Sequence, residues 1–188
     1  KEDLAMEDFI HSSFQELGDF AQGEYLVKKT DKSLILERSS KVLNMKLKIT
    51  KQIMIKSEKE IEIAYSIENK DSAPLDAIFG VEFNITMPFL NSDRYNYFSN
   101  HKSSGRLNTA GSVSGASTFG ISDSEKEFGV NFIFQKTPRD IWYFPVETVS
   151  QSERAYELNY QCSCIFSRWK IDFKQKEIRD LKINWQML

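Results

Sequence analysis

The sequence predicts an all-β fold in which two antiparallel sheets stack as a sandwich. Apolar and polar residues alternate at a period of two through most of the 188 residues, as in strands with one buried face and one solvated face. No helical pattern interleaves with these strands, so a second sheet has to cover the first. With 40% hydrophobic residues the chain can bury one substantial core, and we expect a single domain over residues 1–188.

The strands follow from the alternation, and residues 60–69 give the plainest case. Ile61, Ile63, Tyr65 and Ile67 there alternate with polar or small residues. The same pattern predicts strands within 43–49, 79–87, 128–134, 156–173 and 181–185. Shorter strands bounded by turn-forming residues are predicted at 24–29, 34–38, 53–56 and 95–99. Within 156–166, the apolar residues at even positions are predicted to share one face of their strand.

Two segments depart from this rhythm. Residues 3–17 place apolar residues at mixed spacing, which fits either a short helix or an irregular entry segment. Residues 91–117 are rich in Asn, Ser, Gly and Thr and predict a long loop. Loops of that length serve as binding or lid segments, or are surface excursions without a role.

Charge and composition exclude several classes of partner. The 25 basic and 27 acidic residues give a net charge of −2, without the basic excess that a nucleic-acid backbone requires. No apolar run approaches the roughly 20 residues that cross a bilayer, so no membrane association is expected. Cys162 and Cys164 stand two apart in a strand-like run, where their geometry favours free thiols and a reducing, cytoplasmic location. The opening at Lys1 suggests a piece excised from a longer polypeptide.

Candidate catalytic residues are few. Glycoside cleavage needs two carboxylates that face each other across a cleft at roughly 5 to 10 Å. Glu82 shares a strand face with Gly80, Asn84 and Thr86, and this face lines a groove or meets water. The histidines lie in no serine or cysteine motif, no metal-ligand spacing occurs, and no phosphate-binding glycine loop is present. We therefore predict no catalytic residue, no metal and no cofactor.

The run from Ile141 to Pro145 contains four consecutive large apolar residues. An extended segment must turn either Trp142 and Phe144 or Tyr143 outward, unless both faces are buried. An outward ring would offer a stacking surface for sugar, so Trp142 and Tyr143 are candidates for a carbohydrate or domain contact.

The following segment, Phe144 to Gln161, contains Thr-Val-Ser-Gln-Ser-Glu, then Tyr156 and Tyr160-Gln161. It resembles the C-terminal domain of family-57 α-amylases and 4-α-glucanotransferases. Phe79 to Asn84 and the opening from Glu7 to Tyr25 also resemble that domain, although Glu7, Asp8 and Phe9 stand where the family has Asp-His-Phe. The resemblance spans nearly the whole chain.

This resemblance implies a galactose mutarotase-like β super-sandwich that packs beside an N-terminal (β/α) barrel, and the barrel would hold the catalytic carboxylates. It marks Glu82, Glu147, Ser150, Ser152 and Glu153 as positions that face a groove or that barrel. From the residues alone, the hydroxyls of 148–153 equally satisfy nearby backbone groups. Two functions remain open: a non-catalytic accessory domain of an α-glucan-processing enzyme, with or without contact to the glucan, or an independent sugar-binding or mutarotase-like sandwich. A pure interaction domain is the third alternative.

Overall fold

A computed structural model describes residues 4–88, 90, 93–125, 128–151, 156–174 and 176–188. Nearly all regular structure in these residues is β, and the strands form two antiparallel sheets, as the alternation predicts. The elements are α1 (Met6–Ile10), β1 (Leu26–Lys29), β2 (Ser33–Val42), β3 (Met45–Ser57), β4 (Glu60–Asn69), β5 (Leu75–Ile85), β6 (Tyr95–Ser99), β7 (Lys102–Arg106), β8 (Gly111–Ser114), β9 (Thr118–Asp123), β10 (Val130–Phe134), β11 (Asp140–Gln151), β12 (Tyr156–Phe173) and β13 (Ile178–Met187).

The chain divides into two compact units, and the first contains the residues up to Ile78 with Phe134–Lys136 and Lys170–Gln186. Five strands of the larger sheet lie here in the order β1-β2-β3-β4-β13. Register places Ile49 beside Ile67, and it places Ile63 between Ile53 and Ile183. The apolar alternate positions therefore form rows across the sheet, in which Ile49, Ile63, Ile67 and Ile183 are buried and Ile53 is half-buried. The polar positions between them form the opposite face of the sheet.

The entry segment of the first unit contains one short helix among its described residues, and this helix ends at Ile10. Arg38 on β2 anchors the segment that follows, because its guanidinium pairs with the carboxylate of Asp19 and donates to the carbonyl oxygen of Glu24 at 2.5 Å. Gly23 lies directly against that guanidinium, which occupies the space a Cβ atom would need. A side chain at this position would displace the arginine.

The second unit contains Phe79–Ile133, Thr137–Trp169 and Met187–Leu188, and it is a two-layer sandwich. Four strands of the larger sheet, in the order β10-β9-β6-β7, form one layer, and the smaller sheet β5-β12-β11-β8 forms the other. Aromatic pairs join the layers: the ring centroids of Phe83 and Phe132 are 4.5 Å apart, as are those of Tyr97 and Tyr143. Such contacts make an interior between two sheets.

The predicted loop at 91–117 was wrong in its second half. Lys102–Arg106 pairs with β6, and Gly111–Ser114 pairs with β11. These residues have low strand propensity, so their pairing depends on the neighbouring strands: β7 forms a hairpin with β6, and β8 pairs with β11, which lies far away in sequence. The sequence also missed Thr118–Asp123, which pairs with both β6 and β10 at the centre of its layer.

Candidate functional site

The predicted site residues that the structure describes all lie on the smaller sheet of the second unit, whose two faces differ. We call the face toward the other layer the core face; it carries Ile141, Tyr143 and Ile165. We call the other the second face; it carries Gly80, Glu82, Asp140, Trp142 and Arg168. Alternation along each strand assigns the remaining side chains to one face or the other.

Tyr143 belongs to the interior of the second unit and is 5% exposed. Its ring packs on Tyr97 and on Phe119, with ring centroids 4.5 and 5.3 Å away. Its hydroxyl donates to the carbonyl oxygen of Ser104 at 2.7 Å, and burial raises the pKa of the hydroxyl. Gly111 lies under the ring, where a Cβ atom would come within 2.3 Å of the hydroxyl oxygen. This residue therefore presents no open surface to a sugar.

Trp142 is buried on the second face by a charged partner. The Cζ atom of Arg168 lies 3.4 Å from the centroid of the Trp142 ring, and the indole is 5% exposed. Arg168 also donates from Nε and Nη2 to the two carboxylate oxygens of Asp140, at 2.6 and 2.8 Å. A stacked, bidentate arginine is a strong structural arrangement. The four residues from Ile141 to Phe144 are thus all buried. This is the alternative in which both faces of the segment are covered.

Glu82 is exposed on the second face, beside other polar groups. Asn84 Nδ2 donates to Glu82 Oε1 at 2.7 Å, and the Cys162 thiol lies 3.5 Å from Asn84 Oδ1. Burial, and secondarily the Glu82 charge, raises the pKa of Cys162. The same causes raise the pKa of the buried Cys164. Both thiols are free, as predicted, and a raised pKa leaves little thiolate to act as a nucleophile.

A β-bulge between Val146 and Glu147 separates the packed part of β11 and β12 from an exposed extension. Val146 pairs with Cys162, but Glu147 pairs with Tyr160, which leaves Gln161 as an extra residue. Adjacent residues of β11 point to opposite faces, so Tyr160 and Cys162 do as well. The predicted single face for the even positions of 156–166 was therefore wrong, because the bulge shifts the alternation by one residue.

We call residues 147–151 and 156–160 the arm. Glu147 and Ser150 are exposed on its opposite faces, and the Ser150 hydroxyl accepts a hydrogen bond from Asn159 Nδ2 at 2.7 Å. Gln161 Nε2 donates to Thr148 Oγ1 at 3.1 Å on the same side. These hydroxyls thus bond to side-chain amides of the neighbouring strand rather than to the backbone groups that the sequence suggested. Ser152 and Glu153 lie outside the described residues.

Sequence reasoning missed one cavity, on the polar face of the first unit. It measures about 250 Å³ and is lined by Thr50, Gln52, Ala64, Tyr65, Ser66, Gln135, Asp180, Leu181 and Lys182. Thr50, Ser66 and Asp180 form one row across three strands, and Gln52, Ala64 and Lys182 form the next. In the part of the chain that the structure describes, no hydrogen bond or ion pair involves the side chains of Gln52 or Asp180. The register of three strands brings these residues together, and no local sequence motif predicts the cavity.

The described residues contain no group of three or more His, Cys, Asp or Glu side chains that could hold a metal ion. None of their helices has the length and apolar character needed to cross a membrane. His101 is exposed in the turn between β6 and β7, where its φ of 65° lies in the left-handed region.

Comparison with known proteins decides the family. The model of the family described as alpha-amylase/4-alpha-glucanotransferase, C-terminal, matches residues 1–183. The chain belongs to this family. The resemblance inferred from residues 144–161 is confirmed by this match.

Curated relatives of this family member are much longer than the chain. An α-amylase of Pyrococcus abyssi is 27% identical over 146 residues, which cover 78% of this chain and 19% of the relative. An α-amylase of Pyrococcus horikoshii is 26% identical over 162 residues, which cover 83% of this chain and 21% of the relative. The chain spans about a fifth of the length of these relatives.

Solved structures confirm the galactose mutarotase-like fold of this family member. A 4-α-glucanotransferase from Thermococcus litoralis matches all of this chain and 26% of its own, with a TM-score of 0.76 and 20% identity. A putative aldose 1-epimerase from Escherichia coli K12 matches 90% of this chain and 70% of its own, with a TM-score of 0.66 and 10% identity. A galactose mutarotase-like protein from Lactobacillus casei matches 87% of this chain and 73% of its own, with a TM-score of 0.57 and 8% identity.

Proposed function

We propose that this chain is a non-catalytic accessory domain of an α-glucan-processing enzyme of the α-amylase or 4-α-glucanotransferase type. The observation that carries the proposal is that a family of C-terminal domains matches residues 1–183. The curated relatives are about five times as long as this chain. Its partner is a catalytic (β/α) barrel in the same polypeptide, and its place is the cytoplasm, where free thiols persist.

The side chains support a structural role rather than a reaction. Trp142 and Tyr143 are buried, and Asp140 is paired with Arg168. Glu82 accepts a hydrogen bond from Asn84 on the exposed part of the second face. A glycosidase site needs an acid and a second carboxylate that converge on one sugar ring, and one carboxylate, that of Asp180, is found among the residues that line the described cavity.

The first prediction is that the purified chain neither hydrolyses nor transfers α-glucan. We expect maltooligosaccharides of several lengths to remain unchanged after prolonged incubation, as measured by chromatography of the products, because the cavity in the described residues is lined by one carboxylate, that of Asp180, and the reaction needs two. The complete polypeptide that carries this domain, assayed in parallel, should give products. Turnover by the isolated chain would refute the accessory role.

A second candidate function is sugar binding in the cavity of the first unit. Its polar groups include an amide, hydroxyls and one charge of each sign, namely Gln52, Thr50, Ser66, Asp180 and Lys182. Such a set matches the donors and acceptors of a polyhydroxylated ligand, and about 250 Å³ holds about one sugar ring. A sugar-isomerising role would additionally need a histidine and a carboxylate in one cleft.

The second prediction tests this binding. We expect maltose to shift the NMR signals of Gln52 and Lys182, with a Kd on the order of 1 mM. Asp180→Ala should weaken binding about tenfold, because it removes a charged acceptor of hydrogen bonds. Asp31→Ala, at the exposed turn between β1 and β2, is the matched control. If maltose causes no shift, or if both variants bind equally, the sugar-binding role is excluded.

A further inference from the structure

The arm carries an apolar strip that is exposed in this chain. Val149 is 66% exposed, Leu158 is 67% exposed and Tyr156 is 75% exposed. Val149 pairs directly with Leu158, and the next pair on that face joins Gln151 to Tyr156. The three large side chains therefore stand side by side on one face of a two-stranded ribbon. Single exposed apolar residues are ordinary on a protein surface, but a contiguous set of this kind marks an interaction site.

The strip continues the core face of the second unit. Tyr160 lies at the base of the arm on the same face as Val149 and Leu158. Its hydroxyl lies 2.8 Å from the hydroxyl of the buried Ser163, and it donates to the carbonyl oxygen of Ile85 at 3.2 Å. The bulge at Gln161 preserves the facing, so this face runs on past the packed sandwich, where it carries Val149, Leu158 and Tyr156 together with Glu147 and Gln151. Three large apolar side chains at the centre of such a face favour a surface that covers them.

The opposite face of the arm holds the ribbon in shape. The hydrogen bonds from Asn159 to Ser150 and from Gln161 to Thr148 connect the two strands there. Thr86 Oγ1 also donates to the carbonyl oxygen of Gln161 at 2.9 Å, which fixes the base of the arm to the end of β5. The apolar strip thus lies on a ribbon whose two strands are cross-linked by hydrogen bonds. Binding of a partner therefore needs little further ordering of the arm, and the loss of conformational entropy is small.

The charge of the arm decides between possible occupants. Its residues 147–151 and 156–160 contain two glutamates, Glu147 and Glu157, and no basic residue, which gives 0 − 2 = −2. Glu147 lies on the face of the strip, so two copies of this chain that joined their arms through that face would bring two Glu147 carboxylates into one contact, and like charges oppose such pairing. A different surface, apolar at its centre and basic at its rim, complements the arm on both counts.

We propose that the apolar strip of the arm docks onto an apolar, basic-rimmed surface of the preceding part of the same polypeptide. This inference rests on the accessory role proposed above, since the curated relatives have about four-fifths of their length outside the matched region. The partner surface covers Val149, Tyr156 and Leu158 and leaves the polar face of the arm in water.

Hydrogen exchange followed by mass spectrometry tests the docking. We expect amides of 147–151 and 156–160 to exchange at least tenfold more slowly in the complete polypeptide than in the isolated chain. Leu158→Asp should abolish that extra protection, because it buries a charge in the contact. Ser150→Asp makes the same change of charge on the opposite face, keeps an oxygen that can accept the hydrogen bond from Asn159, and should retain the protection. Val149→Asp provides a second disruptive variant should Leu158→Asp fail to fold.

The possible outcomes separate the two proposals. Equal exchange in an active complete polypeptide, or protection that survives both disruptive variants, overturns the docking and leaves the accessory role intact. A concentration-dependent dimer of the isolated chain that Leu158→Asp dissociates overturns it in favour of a second copy as occupant. Turnover of maltooligosaccharides by the isolated chain instead refutes the accessory role.

Discussion

Arg168→Met is expected to lower the free energy of unfolding by about 3–5 kcal/mol, the usual effect of breaking a buried ion pair. The side chains of Arg168 and Asp140 are 5% and 10% exposed, and two short hydrogen bonds join them. Removal of the guanidinium leaves the Asp140 carboxylate desolvated and also uncovers the face of Trp142. Arg139 approaches Asp140 at 3.5 Å but is 40% exposed, so it replaces only part of the lost interaction. Urea denaturation followed by tryptophan fluorescence measures the change.

The matched control for this substitution removes both charges. Asp140→Leu combined with Arg168→Met should be more stable than Arg168→Met alone, because no buried charge is left without a partner. A double variant as unstable as the single one would show that the Trp142 contact, not the ion pair, carries the stability. A single variant within about 0.5 kcal/mol of the parent would contradict the argument altogether.

Tyr143→Ala is expected to cost about 3–5 kcal/mol, as for other large aromatic residues truncated in a core. The cavity would open between the two layers of the second unit, where the ring now touches Tyr97 and Phe119. The space above Gly111 would also empty, since the Tyr143 ring fills it. Thermal and urea denaturation measure the effect. The m-value, which is the slope of the unfolding free energy against urea concentration, should remain unchanged if the transition stays two-state.

Tyr143→Phe separates the ring from the hydroxyl. It removes the hydrogen bond to the carbonyl oxygen of Ser104 and keeps the aromatic packing. We expect a loss of about 1 kcal/mol, the typical net value of one hydrogen bond. A Phe variant as unstable as the Ala variant would place the main contribution in the hydroxyl and contradict the packing argument.

The strands that the sequence predicted contain large apolar side chains at alternate positions, over long spans as in residues 60–69 or over short ones as in residues 95–99. Residues 60–69 form β4 with the predicted faces because isoleucines at alternate positions need one buried side. Residues 102–106 and 111–114 consist mainly of small and polar side chains, and they become strands because β6 and β11 supply their hydrogen bonds. Propensity carries no information about which strands supply such partners.

The candidate site was predictable only in part, for a similar reason. The sequence showed that the large apolar residues at 141–144 lie on both sides of one strand. It did not show that Arg168 would cover Trp142 from the neighbouring strand. It pointed to Glu147 and Ser150 through the motif, and it missed the exposed strip beside them. That strip depends on one extra residue in β12, and no periodic pattern marks where such a residue falls.

The β-bulge at Gln161 determines which face of the arm each of the residues 156–160 occupies. If the strands paired regularly instead, with Gln161 opposite Glu147, Leu158 and Tyr156 would lie on the side that now carries Thr148 and Ser150. The sandwich would keep its interior, while the arm would present its apolar side chains in the other direction. Family members can therefore be compared by which residue pairs with their equivalent of Glu147, because that pairing reports the direction of the arm even where its side chains have diverged.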